Sequence, residues 1–565
     1  MRTDSPCDQL LDGETLADIR RVWGFDQLRP LQAEAIAAGI AGRDSLLVMP
    51  TGGGKSLCYQ VPPLAAIRLG DTRIDVCVSP LIALMKDQVD GLRASDYPAA
   101  ALNSSMSDDE RDEVRRAVRA GDVRLLFVSP ERLLAPGFTT WLGSVGVRAV
   151  AIDEAHCISQ WGHDFRPEYR QLASLRQMLP GISVHACTAT ATPRVQQDIV
   201  AQLQLQDPLV LVGSFDRPNL IYRIEPRTDG RRQLLEVIDR HRGEAVIVYC
   251  ISRKDTEGLA TFLNSHRHRA ACYHAGLSAQ ERHRVQEAFT SEELDIVVAT
   301  VAFGMGIDRS NVRCVVHMAM PKSVEHYQQE TGRAGRDGLE SECVLFYSYS
   351  DVVKWQTITG ANSHTADDAS DDSDAQQEGA RQLDAMARFS GAAVCRHKWI
   401  VEHFGQAFTK SGCGACDVCL GEVRTVPEST TIARKILSAV VRTGQRFGAG
   451  YVADVLRGAD TEEVRRRGHS ALPTYGILPS DDRSTLTNYV FQLVELGLLE
   501  RTNTEHPVLV LTASGRDALV SGTTPVPLRQ PPKGRGRRHA AATSGVEGLH
   551  QVDAALFDRL RAIRK

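Results

Sequence analysis

No stretch of this 565-residue chain is apolar for long enough to cross a bilayer as a helix, which takes about 20 consecutive apolar residues. The first segment, MRTDSPCDQLLDGET, is polar and lacks the apolar core of a secretory signal. Neither an anchor nor a leader is indicated, and the expectation is a cytoplasmic protein with no membrane partner. A surplus of one charge is also lacking: 66 Lys and Arg stand against 70 Asp and Glu, a net charge of −4. As a mean, that argues against a polyanionic partner. The charge is uneven, however. Residues 361–378 hold Asp367, Asp368, Asp371, Asp372, Asp374 and Glu378 with no Lys or Arg, whereas RQPPKGRGRR, from Arg529 to Arg538, is strongly basic. Such a basic run is a solvated linker in the bland reading and a phosphate-binding arm in the functional one.

A disulfide framework is missing too. Of 13 cysteines, nine are scattered through apolar surroundings, as Cys58, Cys77, Cys187 and Cys250 are, and suit buried thiols in a reducing compartment. The other four form Cys395-x17-Cys413-x2-Cys416-x2-Cys419. Four thiolates at this spacing suit a tetrahedral Zn²⁺, and an iron–sulfur cluster is the alternative. The ferredoxin pattern would continue to a further cysteine and a proline, whereas Leu420-Gly421 follows here.

The length is too great for one core and suggests three to five domains at about 100–200 residues each. From residue 45, apolar runs alternate with helical patterns: SLLVM, DVCVS, RLLFVS, RAVAID and SVHACTAT. A second series, EAVIVYC, RAACYH, LDIVVAT, VRCVVHM and ECVLFY, repeats the theme. Unbroken apolar strands between helices indicate parallel α/β sheets, so two similar lobes are expected, with a seam near residues 208–220. After Tyr347 the pattern turns helical. Residues 360–380 read as a disordered acidic insert, 429–516 as a helical unit closed by a β-hairpin at VLVLT, and 521–550 as a basic flexible linker.

MPTGGGKS (49–56) follows a predicted strand and precedes a helix. Met49 stands where G-x-x-x-x-G-K-[ST] has its first glycine, but Gly52, Gly53 and Gly54 let backbone N–H groups wrap a phosphate. Lys55 suits the β/γ-phosphates and Ser56 a Mg²⁺; the competing reading is a glycine turn. Asp153-Glu154 ends the strand RAVAID, where one acid can hold Mg²⁺ and the other polarise water. QQETGRAGRDG (328–338) carries Arg333 and Arg336 three apart, on one face if helical, as arginine fingers for a γ-phosphate across a closing cleft.

The stretch AIDEAHCISQWGHDFRPEY (151–169) is unusual, because the carboxylate pair runs at once into Trp161, His163, Phe165 and Arg166. Aromatic rings stack on bases at about 1–3 kcal/mol each. DNA stacking averages about 1.4 kcal/mol per step, so one such contact rivals one melted step. The competing reading is core packing.

These motifs, with WGFDQLRPLQ (23–32), SPLIALMKDQV, TATAT, VYCISR and ATVAFGMGIDRSNVR in order, resemble the RecQ family of superfamily-two DNA helicases from about Trp23 to Thr512. The resemblance implies two RecA-like lobes (1–210 and 211–347), a helical zinc-binding subdomain (348–425) and a winged-helix domain (426–520). It implies an ATP- and Mg²⁺-dependent enzyme, acting 3′→5′ on single-stranded and forked or duplex DNA in repair and recombination. Gln32 would read adenine with Arg29 and Thr51 beside it, while His156 and Gln329 would join the catalytic groups. The 159–167 stretch would be the family's aromatic-rich DNA-coupling loop. The wing would lie near Thr502–Thr512 with His506 at its tip, and STLTNYVFQLVELGLLE (484–500) would be a recognition-type helix. A single-strand-binding protein tail is an implied partner, with the chain a monomer in the bacterial cytosol or nucleoid. Residues 551–565 resemble only the first helix of the HRDC domain of many members. Two rivals stand beside this reading: an RNA-directed superfamily-two enzyme, and a non-catalytic DNA-binding protein built on the winged helix.

Overall fold

Seven runs of Val, Leu, Ile and Ala form the first sheet: β1 Ser45–Val48, β2 Ile74–Val78, β3 Ala99–Leu102, β4 Leu125–Val128, β5 Val147–Ile152, β6 Ser183–Thr188 and β7 Leu209–Val212. The computed structural model describes residues 10–530 except 105, 305–308, 363–371, 424–425, 503–507 and 522–525. The strands pair in parallel in the order β3-β4-β2-β5-β6-β1-β7. Every residue of β1, β2, β4, β5 and β6 is buried, because helices cover both faces. That order sets β5, β6 and β1 side by side, so the loops leaving their C-terminal ends share one edge.

The second sheet holds β8 Leu220–Pro226, β9 Ala245–Tyr249, β10 Ala270–Tyr273, β11 Ile296–Ala299, β12 Val312–His317 and β13 Ser341–Tyr347. Its order is β10-β11-β9-β12-β13-β8, again parallel. The seam therefore falls between β7 and β8. Because β7 pairs with β1, the first lobe's sheet runs to Val212, two residues beyond the expected limit of 210.

Helices Tyr349–Asn362, Asp372–Gly391 and Arg396–His403 follow. The acidic insert is thus helical from Asp372, where a loop was expected throughout 360–380. Residues 363–371 lie outside the described residues.

The last unit has its own core, with Ile436, Leu437, Val440, Leu456, Leu486 and Leu493 buried together. It comprises helices Ser429–Arg442, Ala449–Arg457 and Arg483–Glu495, the antiparallel hairpin β14 Leu499–Arg501 with β15 Leu509–Leu511, and helix Ala513–Ser521. The expected recognition helix ends at Glu495, and its last residues enter β14. His506 and most of the wing lie outside the described residues, as do 531–565 with the basic tail and final helix. Part of the expected flexible linker is ordered packing instead. Val526 and Leu528 are buried in this core, and Arg529 N–H donates to Gln492 Oε1 at 2.7 Å. Their apolar side chains complete a core the helices alone leave open.

Candidate active site and nucleic-acid interface

The loop leaving β1 turns into helix Lys55–Arg68 through Gly54, which sits at φ +83°. A Cβ on Gly54 would lie 2.4 Å from Gln32 Nε2, so a side chain there would strain the backbone and push the Gln32 amide aside. Gln32 Nε2 donates to Gly54 O at 3.0 Å, and its Oε1 accepts from Arg29 N–H at 2.7 Å. The Arg29 guanidinium donates to Gly52 O. Gln32 and Arg29 thus brace the glycine loop, a contact that the adenine reading did not foresee. Lys55 Nζ donates to Met49 O at 3.2 Å, and Ser56 opens the helix beside it. The helix N-terminus and glycine amides form an anion cradle.

Across the strand ends, Asp153 and Glu154 are buried or nearly so. Burial, and then the charge of Glu154, pushes Asp153 up to about 6. Burial would also raise Glu154, but the adjacent His156 and its charge prevail and hold it at about 2. Glu154 takes φ +49° and its buried Oε2 has no hydrogen-bond partner, with His156 Nδ1 3.3 Å away. A strained backbone bearing an orphaned carboxylate oxygen over a phosphate cradle fits a divalent cation and an attacking water. His156 Nδ1 lies 2.8 Å from Thr188 Oγ1, at the end of β6 in the TATAT run.

The second lobe meets this edge directly. Helix Val324–Thr331 ends before Arg333, so the two arginines lie on a glycine-rich turn and not on a helix face. Gly335, at φ +57°, lies between the two arginines and breaks the expected helical continuation. Arg333 is buried with Nε unpartnered, Arg336 is half-buried, and Gln329 is half-buried on the helix. A Cβ on Gly52 would stand 3.2 Å from Arg336 Cγ, and one on Gly332 3.1 Å from Thr51 Cβ. Arg217, in the seam, straps both sides: it donates to Thr51 O at 3.1 Å and to Gly335 O at 3.0 Å. Arg217 was not singled out from sequence; its place between two sheets was the available signal.

The aromatic stretch folds back on the turn after Glu154. Arg166 N–H donates to Cys157 O at 2.9 Å, and Tyr169 Oη donates to Asp153 O at 3.0 Å. Gly162 allows the reversal, since a Cβ there would lie 2.6 Å from His156 O. Phe165 is 39% exposed, whereas Trp161 is partly buried against the main hydrophobic core, which runs through both lobes and the zinc-binding subdomain. Trp161 therefore partly realises the packing alternative. Arg166 pairs with Asp164 at 3.2 Å and reaches Pro80 O at 3.3 Å. His163 stacks on His156 at 4.3 Å and meets His326 of the second lobe edge-on at 4.6 Å. Burial, and then the charge of His156, pushes His163 down to about 3, so it is neutral at ordinary pH. Glu154, His156, His163 and His326 form a continuous path from the carboxylates to the second lobe. His326 was missed from sequence because nothing local marks a cross-lobe contact.

Cys395, Cys413, Cys416 and Cys419 converge, with ligand atoms all within 4.8 Å of one another. Backbone N–H groups of Ala415 and Cys419 approach Cys413 Sγ and Cys416 Sγ at 3.3 and 3.5 Å, as thiolate ligands require. Burial acts to raise Cys419, but hydrogen bonds from the Cys413 backbone and neighbouring thiols bring it to about 7. The donor set fits Zn²⁺.

A phosphate cradle and a carboxylate pair on one parallel-sheet lobe, faced by arginines from a second, define the class: a two-lobed, helicase-type P-loop ATPase. Family models match in series: DEAD/DEAH box helicase over 29–199, helicase conserved C-terminal domain over 229–338, RecQ zinc-binding over 349–420 and RQC domain over 424–537. The ATP-dependent DNA helicase RecQ of Haemophilus influenzae is 39% identical, covering 100% of this chain and 88% of that protein. The Bacillus subtilis protein of the same name is 37% identical, over 96% and 87% respectively. The chain belongs to the RecQ family of ATP-dependent DNA helicases. Its cysteine cluster is that family's structural zinc site. The fold is shared with the DUF1998 helicase MrfA bound to DNA, at TM-score 0.52 and 19% identity, over 64% of this chain and 51% of that one. It is shared also with the DEAD-box helicase Mss116 bound to ssRNA, at TM-score 0.52 and 18% identity, over 62% and 76%.

Proposed function

We propose that the chain couples ATP hydrolysis to 3′→5′ movement along single-stranded DNA and so unwinds duplexes, in repair and recombination. The observation that carries this is the unbroken path from the Glu154 carboxylate through His156 and His163 to His326 of the other lobe, beside arginines that meet the phosphate loop. Bound Mg²⁺–ATP supplies an in-line phosphoryl transfer to water. Around it, the Gly52–Gly54 amides and Lys55 hold phosphates, Ser56 and Asp153 hold the cation, and Glu154 orients water. Arg333 and Arg336, with Gln329 beside them, bring the second lobe to the γ-phosphate, an effect of about 10³–10⁵ in rate for such arginines. Gln32 and Arg29 keep the cradle in shape, with the adenine contact as their further role. Trp161, His163, Phe165 and Arg166 receive single-stranded DNA, and His156 passes the state of either site to the other.

The winged-helix unit grips duplex at the fork, with His506 at the wing. Working as a monomer in the bacterial cytosol or nucleoid, and engaging the C-terminal tail of a single-strand-binding protein, complete the reading. Among the described residues, no helix is long and apolar enough to cross a membrane. The test is unwinding of matched 3′- and 5′-tailed DNA and RNA duplexes with and without ATP. ATP-dependent unwinding of the 3′-tailed DNA alone is expected; a 5′ preference, or equal action on RNA, refutes the proposal.

A further inference from the structure

Trp161 is the ring of the aromatic loop best shaped for a nucleobase, yet its face is occupied. The guanidinium carbon of Arg194 lies 3.4 Å from the indole centroid, at stacking distance. Arg194 is the second residue of helix Pro193–Gln202, which starts directly after the TATAT run whose Thr188 holds His156. Glu378, on the helix Asp372–Gly391 that carries the acidic insert's second half, places Oε2 3.5 Å from Arg194 Nη1. It lies equally 3.5 Å from Arg381 Nη1 on its own helix. Gln382, one turn further, donates to Trp161 O at 3.3 Å. The indole is thus held between the first lobe and the zinc-binding subdomain by groups the catalytic site does not use. Glu378 is only 16% exposed, so its carboxylate is enclosed between the Arg194 and Arg381 guanidiniums.

We propose that Arg194 is a positioning residue of the DNA-coupling loop. Held by Glu378, it covers the face of Trp161 on which a base of single-stranded DNA stacks, so that DNA engages the loop only by displacing it. Guanidinium and nucleobase compete for the same π-face, because both bind it by stacking over the ring. The exchange gives the acidic insert a role. Its helix holds the clip closed, and an incoming phosphate backbone offers Arg194 a replacement for the Glu378 carboxylate. The inference rests on the base-stacking role proposed for the aromatic loop.

The experiment measures ATPase of the full zinc-loaded chain against a single-stranded thymidine oligonucleotide, for the parent, Arg194→Ala, Arg194→Lys, Glu378→Gln and Trp161→Ala. Freeing the indole is expected to lower the half-saturating oligonucleotide concentration about 2- to 30-fold in Arg194→Ala, the factor that corresponds to one cation–π contact. Glu378→Gln shifts it the same way by less. Arg194→Lys shifts it less than the alanine variant, because an ammonium keeps the charge over the ring but lacks the planar stack. The direction is diagnostic, since deleting a cation near DNA would otherwise weaken binding. An unchanged or raised half-saturating concentration in both Arg194→Ala and Glu378→Gln overturns the gating role. If Trp161→Ala leaves DNA stimulation undiminished, the stacking role itself falls. If Trp161→Ala abolishes stimulation while Arg194→Ala and Glu378→Gln do not sharpen it, only the gating falls. Parent-like zinc content and melting temperature in Glu378→Gln exclude misfolding as the source of any shift.

Discussion

Asp417→Asn removes one charge and almost no volume, and the structure sets its cost. Arg396 is 1% exposed and Asp417 5% exposed, and they pair bidentately at 2.8 and 3.0 Å. The other edge of the guanidinium is spent on Phe389 O and Ala392 O, at 2.9 and 2.7 Å. Asp417 also accepts from Ile224 N–H at 3.1 Å and Val418 N–H at 2.9 Å, so both its oxygens are acceptors twice over. An asparagine replaces one oxygen by an NH₂ group that faces donors. A buried guanidinium left without its counter-charge costs about 3–5 kcal/mol. Since each factor of ten in an equilibrium is about 1.4 kcal/mol, zinc-subdomain opening should become about 10²- to 10⁴-fold more frequent. The assay is zinc release to a chromophoric chelator across a urea series, with tryptophan fluorescence followed in parallel. Zinc is expected at markedly lower urea in the variant. Glu422→Gln, at the 41% exposed end of the Arg223 pair, is the control and should shift release by under about 1 kcal/mol. A change below about 1 kcal/mol for Asp417→Asn refutes the reasoning, because solvent would then be reaching Arg396.

Lys55→Ala is expected to abolish phosphate release while zinc content stays at the parent level; persistent turnover would remove Lys55 from the site. Gly54→Ala, strained at φ +83° and in collision with Gln32, should weaken binding of a fluorescent ATP analogue by about 1–2 kcal/mol or more, measured by titration. Glu325 is held at about 2: burial opposes this, but the hydrogen bond and charge of His403, 2.7 Å away, prevail. Because its folded value lies below the ordinary 4.5, the stabilisation is complete above that pH and disappears as pH falls through about 2. The melting-temperature gap between parent and Glu325→Gln should therefore be full near pH 5 and close towards pH 2. A constant gap contradicts the ion pair.

Strands were legible wherever both faces are buried, because an unbroken apolar run such as VRAVAI has no other comfortable setting. β3, β7 and β8 were not marked as strands. AAAL carries too little side chain to signal one, and β7 and β8 border the sheets, half-exposed or alternating. The carboxylates, glycines and cysteines declared themselves because their chemistry depends on local spacing. Arg217, His326, Arg194 and Thr188 did not, since their partners lie far off in sequence and only folding brings them near. Gln32 shows the limit most plainly. Its motif pointed to a nucleotide contact, and only the folded chain adds that its amide braces the glycine loop.

The pairing of the cysteine loop with β8 has a bearing on solubility. β8 is the outermost strand of its sheet, and Tyr222 N–H donates to Ala415 O at 3.2 Å while its C=O accepts from Asp417 N–H at 2.9 Å. The metal-bound loop is in effect a cover strip over a long open strand edge, LIYRIEP, of the kind that templates association between chains. Stripping the zinc releases that strip and uncovers the edge, so chelated protein is expected to be lost to edge-to-edge self-association at concentrations where the loaded chain stays dispersed. In that sense the four thiolates protect the chain from its own copies as well as shaping a site.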